Sequence, residues 1–122
     1  VLLDTVLAAN PEYLPGRFSK SIILRKLKKN EEARRELQEI ILRNPYYNSA
    51  HFSLGEMYFQ EGNLVSAILA LQTYLILAGD DGRYVKSTIN YLDEIVKLPE
   101  DVRKKATGFR FTGIQPFNEI QQ

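Results

Sequence analysis

The amino-acid sequence predicts an all-α protein, an α-solenoid in which antiparallel helical hairpins stack side by side. Three observations support this prediction: a recurring 34-residue spacing, hydrophobic residues at helical intervals, and small residues where two helices would cross. Asn-Pro occurs at residues 10–11 and again at 44–45, and one more step of 34 reaches a helix-breaking cluster at 78–81. Like residues also stand 34 positions apart: Ala33 and Ala67, Leu37 and Leu71. A fixed period of this length is typical of stacked helical repeats, and the chain holds about two full repeats with partial repeats on either side.

The first complete predicted unit spans residues 14–47. Two apolar groups at helical spacing are separated by a polar turn around Lys29 and Asn30. The first predicted helix carries Phe18, Ile22, Ile23 and Leu27, and the second carries Ala33, Leu37, Ile40 and Ile41. The unit is therefore a helical hairpin.

The second unit, residues 48–81, has the same organisation. Its first predicted helix carries Phe52, Leu54, Tyr58 and Phe59, and its second carries Leu64, Ala67, Ile68, Leu71, Leu75 and Ile76. We interpret Gly55 and Ala67 as small residues at a close crossing of the two helices. Gly62 is predicted to supply the left-handed turn residue after the first helix.

Partial units flank these two hairpins. Residues 1–13 match the second helix of a unit, and residues 82–106 are predicted to form a degenerate repeat or capping helix. Within the latter, residues 82–97 fit a first helix whose apolar side carries Val85, Ile89 and Leu92. The remaining residues 107–122 break the register and form an irregular C-terminal extension.

At these positions the chain resembles the tetratricopeptide repeat (TPR) family, and it is similar to a fragment of a longer TPR-containing protein. Residues 48–81 match best, with the signature positions occupied by Leu54, Gly55, Tyr58, Gly62, Ala67 and Leu71. His51 and Gly79 depart from the Trp and Pro usual in the family. Residues 14–47 depart more, with Arg17, Lys20 and Ser21 in place of Trp, Leu and Gly. The resemblance covers roughly residues 1–106.

The resemblance implies a right-handed solenoid whose first helices line a concave groove. It further implies a protein–protein interaction scaffold that holds a peptide, a helix or a partner domain in that groove. We expect the groove to be lined by Phe18, Ile22, Arg25, Phe52, Glu56, Phe59, Arg83 and Asn90. Replacing Phe52 and Phe59 by alanine should then abolish partner capture and leave the helical content intact. The alternative, in which Phe52 and Phe59 pack between hairpins, remains open from the sequence.

The best-known groove of this family is a carboxylate clamp that grips an acidic C-terminus. Mapped onto this chain, the clamp positions are Phe18, Ile22, Ser53, Arg83 and Ser87. Only Arg83 has suitable chemistry, and one cation beside two apolar residues cannot satisfy a desolvated carboxylate. We therefore expect that the protein is not a carboxylate-clamp co-chaperone.

Catalysis is not indicated by the sequence. His51 is the single histidine, and we interpret it as a packing residue that replaces the family's Trp. The carboxylate pairs at 80–81, 93–94 and 100–101 are better explained as helix caps, first-turn charges or solvated surface. No glycine-rich phosphate loop, metal-spaced cluster or nucleophile motif is present. We expect no catalytic, cofactor-binding or metal-binding residues, and hence no enzyme.

Two other functions compete with the scaffold. Residues 17–43 contain nine basic and four acidic residues, and this local excess of positive charge could bind the phosphates of a nucleic acid. Apart from Phe18, this segment has no aromatic or glycine residue, and Arg35 is spaced to pair with Glu31 and Glu39. We therefore favour a solvated helix surface that carries paired charges over a nucleic-acid site. The second competitor is a structural spacer or oligomerisation element of a larger assembly.

The C-terminal extension is unusually apolar for a tail. Its 16 residues contain three phenylalanines and two isoleucines, together with two glycines and Pro116. Side chains of this kind favour burial, so we expect Phe109, Phe111 and Ile114 to run extended across a neighbouring surface. That surface would be this solenoid's own end or groove, or the groove of a second copy, which would give self-association through the tail.

Overall fold

The computed structural model describes residues 13–79 and 82–107, with side chains described as far as Arg103. Every regular element in these residues is an α-helix. In chain order the helices are α1 (Leu14–Lys26), α2 (Asn30–Arg43), α3 (Asn48–Gln60), α4 (Leu64–Ala78), α5 (Val85–Lys97) and α6 (Glu100–Thr107). The predicted all-α class is confirmed for this part of the chain. The predicted helix at 1–13 and the extension at 107–122, with Phe109, Phe111 and Ile114, lie almost wholly outside the described residues.

Local sequence signals explain where these helices begin and end. In α1, Pro15 lies in the first turn, where its missing N–H costs no helical hydrogen bond, and Arg25 and Lys26 lie in the last turn. In α2, Glu31 and Glu32 lie in the first turn and Arg43 in the last, which complements the helix dipole at both ends.

The two turns inside the helix pairs have the same backbone geometry. After α1, the Lys29 N–H donates to the Leu24 carbonyl at 2.8 Å, and after α3 the Asn63 N–H donates to the Tyr58 carbonyl at 2.9 Å. Each turn passes through one left-handed residue, Lys28 with φ 64° and Gly62 with φ 80°. The prediction for Gly62 is confirmed. At the equivalent position, Lys28 adopts a conformation that costs a side-chain-bearing residue about 1–2 kcal/mol.

The 34-residue spacing recurs in the helix bounds. Helices α1 and α3 each have 13 residues and begin 34 positions apart, as do the starts of α2 and α4. Helix α5 departs from this spacing because it begins at Val85, whereas a further step of 34 from Asn48 would reach Gly82. The first four helices therefore follow the period found in the sequence, and the fifth is displaced from it.

Neighbouring helices share a continuous apolar interior. Helix α1 packs on α2 and α3 on α4, while α2 contacts α3, and α4 contacts both α5 and α6. The largest buried cluster joins the first two pairs and contains Leu24, Ala33, Leu37, Ile40, Ala50, Leu54 and Met57. A Cβ built at Gly55 would lie 2.6 Å from Leu71 Cδ2, so the expected close crossing of α3 and α4 is confirmed.

Helix α5 presents most of the apolar side that we expected. Val85 and Leu92 pack against the cluster of Phe52, Leu71 and Tyr74, and Thr88 and Ile95 are buried. The prediction is wrong for Ile89, which is 52% exposed. Ile89 lies about 100° around the helix from the buried Thr88, whereas Val85 and Leu92 lie within about 60° of it.

Candidate functional site

One depression lies on the face shared by α1, α3 and the start of α5. It has a volume of about 290 Å³ and is lined by Phe18, Ile22, Arg25, Phe52, Ser53, Glu56, Tyr84 and Ser87. Because its walls are dominated by aromatic and aliphatic side chains, we call it the aromatic depression. Five of the eight predicted groove residues meet here: Phe18, Ile22, Arg25, Phe52 and Glu56.

A second depression adjoins the first at the turn between α1 and α2. It has a volume of about 350 Å³ and is lined by Ile22, Arg25, Lys26, Lys28, Asn30 and Gln60. Three of these six residues are cations, so we call it the basic depression. Ile22 and Arg25 line both depressions, which makes them a single groove with an apolar end and a basic end.

Phe52 belongs mainly to the interior between the helix pairs. Its ring stacks on Tyr84 with 4.4 Å between centroids and an interplanar angle of 5°, and it lies 5.6 Å from the Tyr74 ring. The side chain is only 6% exposed and is part of a core cluster with Leu71 and Tyr74. Of the two readings left open by the sequence, inter-hairpin packing therefore describes Phe52. Because Phe52 is part of the core, we expect its replacement by alanine to lower stability as well as to alter the groove.

The remaining predicted groove residues lie elsewhere. Phe59 is partly buried against the cluster of Leu64, Ala67 and Ile95, and its ring lies 4.9 Å from that of Tyr91. Arg83 and Asn90 are exposed. Neither depression is lined by Phe59, Arg83 or Asn90, so the structure does not bring these three together with the other five.

A polar network crosses the groove and ties three helices together. Arg25 Nη1 donates to Glu56 Oε1 at 2.9 Å, and the Tyr91 hydroxyl donates to Glu56 Oε2 at 2.7 Å. Arg25 Nη2 also reaches Gln60 Oε1 at 3.4 Å. Both oxygens of the Glu56 carboxylate are thus engaged, one by α1 and the other by α5. Sequence reasoning missed Tyr91 because its partner lies 35 positions away and no local pattern relates the two.

This network changes the acidity of Tyr91. Burial, followed by the hydrogen bond and the negative charge of Glu56, raises the pKa of Tyr91 from about 10 to about 12, and the positive charge of Arg25 opposes the rise. The folded chain therefore holds the phenol proton more tightly than the unfolded chain does. Its contribution to stability is complete below about pH 10 and is lost as the pH rises to about 12.

We expect Tyr91→Phe to flatten the alkaline fall in stability between these two pH values, because the variant has no phenol proton to lose. Urea unfolding at a series of alkaline pH values measures the effect, and tyrosinate absorbance should lose one late-ionising group. Glu56→Gln keeps an acceptor but removes the charge, so the pKa of Tyr91 should be raised less, and the alkaline fall in stability should be smaller and end at a lower pH. Identical alkaline profiles for the wild type and Tyr91→Phe would contradict this assignment.

Most charges of the basic segment 17–43 are paired. Arg17 and Lys20 contact Glu36 at 2.8 Å and 3.4 Å. Arg34 pairs with Glu31 and with Glu61, and Arg43 pairs with Glu39. The expected pairs of Arg35 with Glu31 and Glu39 are wrong, since both carboxylates bind other arginines. Within the described residues, no ion pair forms at Lys26, Lys28, Lys29 or Arg35.

The positions mapped from a carboxylate clamp do not assemble a cationic pocket. Phe18, Ile22, Ser53 and Ser87 line the aromatic depression, whereas Arg83, the one cation of that set, does not. The cation present in the depression is Arg25, which is bound to Glu56.

His51 forms a hydrogen bond to the segment that connects α2 and α3. Its Nε2 donates to the Pro45 carbonyl at 2.9 Å, across the start of α3. Among residues 13–79 and 82–107, no group of three or more His, Asp or Glu side chains is arranged to hold a metal ion. None of the helices in these ranges combines the length and the apolar character needed to cross a membrane.

Comparisons with protein-family models, with curated proteins and with solved structures find no match for this chain.

Proposed function

We propose that the protein is an interaction scaffold of the TPR type, which binds a peptide, a helix or a partner domain in the groove formed by α1, α3 and α5. The observation that carries the proposal is the meeting of five predicted groove residues around one open depression. In this proposal the helix pairs α1–α2 and α3–α4 are repeats of a right-handed solenoid, and α5 begins a third, degenerate one.

The repeat assignment is supported by features of the first helix pair that recur at the same positions of the second helix pair. Helix starts, the left-handed turn residues Lys28 and Gly62, and the buried residues Ala33 and Ala67 all recur at 34 positions. Stacked repeats bury a continuous core and leave one series of helices on a concave face. That face is where scaffolds of this class bind their partners, and here it carries the groove.

The groove has the features of an anchor site for a protein segment. Ile22 is 38% exposed and lies at the junction of both depressions, so a partner side chain can cover it. Beside it lie the hydroxyl groups of Ser53 and Ser87, which can bind a partner backbone. A few apolar residues within a polar rim usually supply most of the affinity of an interface.

We do not propose a carboxylate-clamp co-chaperone. Arg25 is the only cation that lines the aromatic depression, and its guanidinium is already bound to Glu56 at 2.9 Å. A terminal carboxylate placed there would compete with Glu56 and would itself be desolvated without enough donors. Enzymatic activity and a cofactor form no part of the proposal.

The test is selection of binders from a displayed library of random 12-residue peptides on the whole chain. Ile22→Asp should weaken binding of the selected peptides by about tenfold or more, because it places a charge in the apolar part of the groove. Ile23→Asp is the matched control: the neighbouring isoleucine is 47% exposed but lines neither depression, so affinity should hold. Circular dichroism of both variants checks that the helices remain.

Two outcomes would count against the scaffold. One is a library from which no peptide is enriched over a surface without protein. The other is a set of peptides whose affinity falls equally with Ile22→Asp and Ile23→Asp, since binding would then lie outside the groove.

The second candidate function is an oligomerisation element. Leu42 and Ile76 occupy equivalent positions on α2 and α4, 34 residues apart, and they are 75% and 81% exposed. Exposed apolar residues that recur on successive helices can form a self-complementary surface. Sedimentation measurements that show a mass rising with concentration, reversed by Ile76→Glu, would favour this function.

A further inference from the structure

We infer that the groove selects a protein segment that combines a large apolar side chain with acidic residues a fixed distance away. The apolar side chain occupies the aromatic depression, and the acidic residues lie over the basic depression beside the turn between α1 and α2. This inference rests on the proposed scaffold function and adds to it the chemistry of the partner and the spacing of its residues.

The first support is the distribution of cations that have no partner. In the described part of the basic segment 17–43, the cations without an ion pair are Lys26, Lys28, Lys29 and Arg35. Three of these four lie at the turn between α1 and α2, and two of the three line the basic depression. Because no carboxylate of the chain pairs with these cations, the acidic residues of a ligand can pair with them without displacing an existing partner.

The second support is the state of the acidic residues around the groove. The residues that line the basic depression include no Asp or Glu. Glu56, in the aromatic depression, is bound by Arg25 and Tyr91, and the nearby Glu61 is bound by Arg34. Glu56 and Glu61 are therefore already paired with arginines of the chain, and Glu32, in the first turn of α2, is the acidic residue beside the turn that has no ion pair among the described residues.

The third support is the backbone at Lys28. Its φ of 64° lies in the left-handed region, and the equivalent turn residue of the second helix pair is glycine, with φ 80°. Glycine adopts this conformation without the steric cost that a side chain adds. Residues with a strained backbone conformation cluster at binding and active sites. The strain at Lys28, which lies at the edge of the groove, therefore supports a role of its side chain in binding.

The aromatic residues favour a protein segment over nucleic acid. Bases bind proteins by stacking on free aromatic faces, with basic residues tracking the phosphates. Here Phe52 and Tyr84 stack on each other at 4.4 Å, and Phe18 packs against Tyr47 at 5.9 Å. The rings at the apolar end are thus engaged with one another, while the exposed Ile22 suits an aliphatic or aromatic side chain of a peptide.

The geometry also sets the spacing in the partner. Along α1, Phe18 and Lys26 are separated by about 12 Å, given a rise of about 1.5 Å per residue. An extended chain covers this distance in about four residues at roughly 3.3 Å each. The acidic residues should therefore lie about four residues from the apolar anchor, on either side of it, in an extended partner, or about two turns from it in a helical one.

The experiment uses the same displayed library of random 12-residue peptides, followed by synthesis of the most enriched peptide. We expect the enriched peptides to combine a large apolar residue with Asp or Glu at the spacing above. In fluorescence anisotropy, changing their acidic residues to the matching amides should weaken binding by about tenfold, and added salt should do the same. The double variant Lys26→Glu and Lys28→Glu should weaken the acidic peptide by tenfold or more.

Two variants separate a binding role from a structural one. Arg35→Glu makes the charge change of one Lys→Glu substitution on α2, at a residue that lines neither depression, so affinity should stay within about twofold, whereas Lys26→Glu alone should weaken binding by more than that. Lys28→Gly relieves the strained backbone and removes one cation, so it should raise the melting temperature and weaken the acidic peptide. A purely structural lysine would not produce a more stable protein that binds less well.

The failures of the two proposals are distinguishable. Enriched peptides that lack acidic residues, or that bind equally well as amides, overturn this inference and leave the scaffold standing. A library without any enriched peptide overturns both. Binding of a short RNA or DNA duplex in place of any peptide, abolished by Lys26→Glu and Lys28→Glu, would assign the basic depression to nucleic acid instead.

Discussion

Replacing Phe52 by alanine is expected to lower the free energy of unfolding by about 3–5 kcal/mol. Three features account for a loss of this size. The ring is 6% exposed, it stacks on Tyr84 at 4.4 Å, and it also lies within 6.3 Å of the Tyr74 and Tyr91 rings. Truncation therefore leaves a cavity at the point where α3, α4 and α5 meet. Domains of this size have a total stability of about 5–15 kcal/mol, so the variant loses a large part of it.

Urea unfolding followed by circular dichroism measures this loss. Ile22→Ala is the comparison, because Ile22 is partly exposed and leaves no closed cavity, so it should cost about 1 kcal/mol or less. A loss at Phe52→Ala no larger than that at Ile22→Ala would show that Phe52 is a surface residue of the groove. For the same reason, Ile22 and not Phe52 is the residue with which to test binding.

Leu71→Ala is expected to lower the free energy of unfolding by about 2–5 kcal/mol, and Gly55→Ala to lower it by at most about 2 kcal/mol. Leu71 is fully buried, so its truncation leaves a cavity. A Cβ at Gly55 would lie 2.6 Å from Leu71 Cδ2 and 3.3 Å from the Leu71 backbone nitrogen. Overpacking of this kind costs about 1–3 kcal/mol, of which the better helix propensity of alanine recovers about 1.

The two substitutions should also be coupled. In the double variant the added methyl group no longer meets the Leu71 side chain, so the total loss should be smaller than the sum of the single losses by about 1 kcal/mol or more. Gln38→Ala, at an exposed position on α2, is the control and should change stability by less than about 0.5 kcal/mol. Additive losses at Gly55 and Leu71 would contradict the close crossing of α3 and α4.

Several features of the fold were predictable from the sequence because they depend on local spacing. The 34-residue period, with breakers between apolar groups, predicted the hairpins that α1–α2 and α3–α4 form. Gly62 was predictable as the left-handed residue, since few other residue types adopt that conformation readily. Gly55 and Ala67 were predictable at the crossing because each is a small residue among the apolar residues of its own helix. A small residue at such a position lets a neighbouring helix approach closely.

The candidate site was predictable only in part. The helical spacing placed Phe18, Ile22, Arg25, Phe52 and Glu56 on one face, and the structure brings these five together. Helical spacing does not predict burial, however. A residue at the edge of an apolar face is buried or exposed depending on where the neighbouring helix packs. Phe52 became core because Tyr84, directly before α5, stacks on it.

The period, the helical hairpins and their turns were determined by the sequence alone, because each depends on residues close together in the chain. Only the tertiary structure decided the rest. The rotation of α5 about its axis left Ile89 exposed and placed Tyr91 beside Glu56, and the packing of α2 on α3 brought Glu61 to Arg34 and left Arg35 without an ion pair. These outcomes depend on the rotation of each helix about its axis and on contacts some 30 residues apart, which apolar periodicity does not encode.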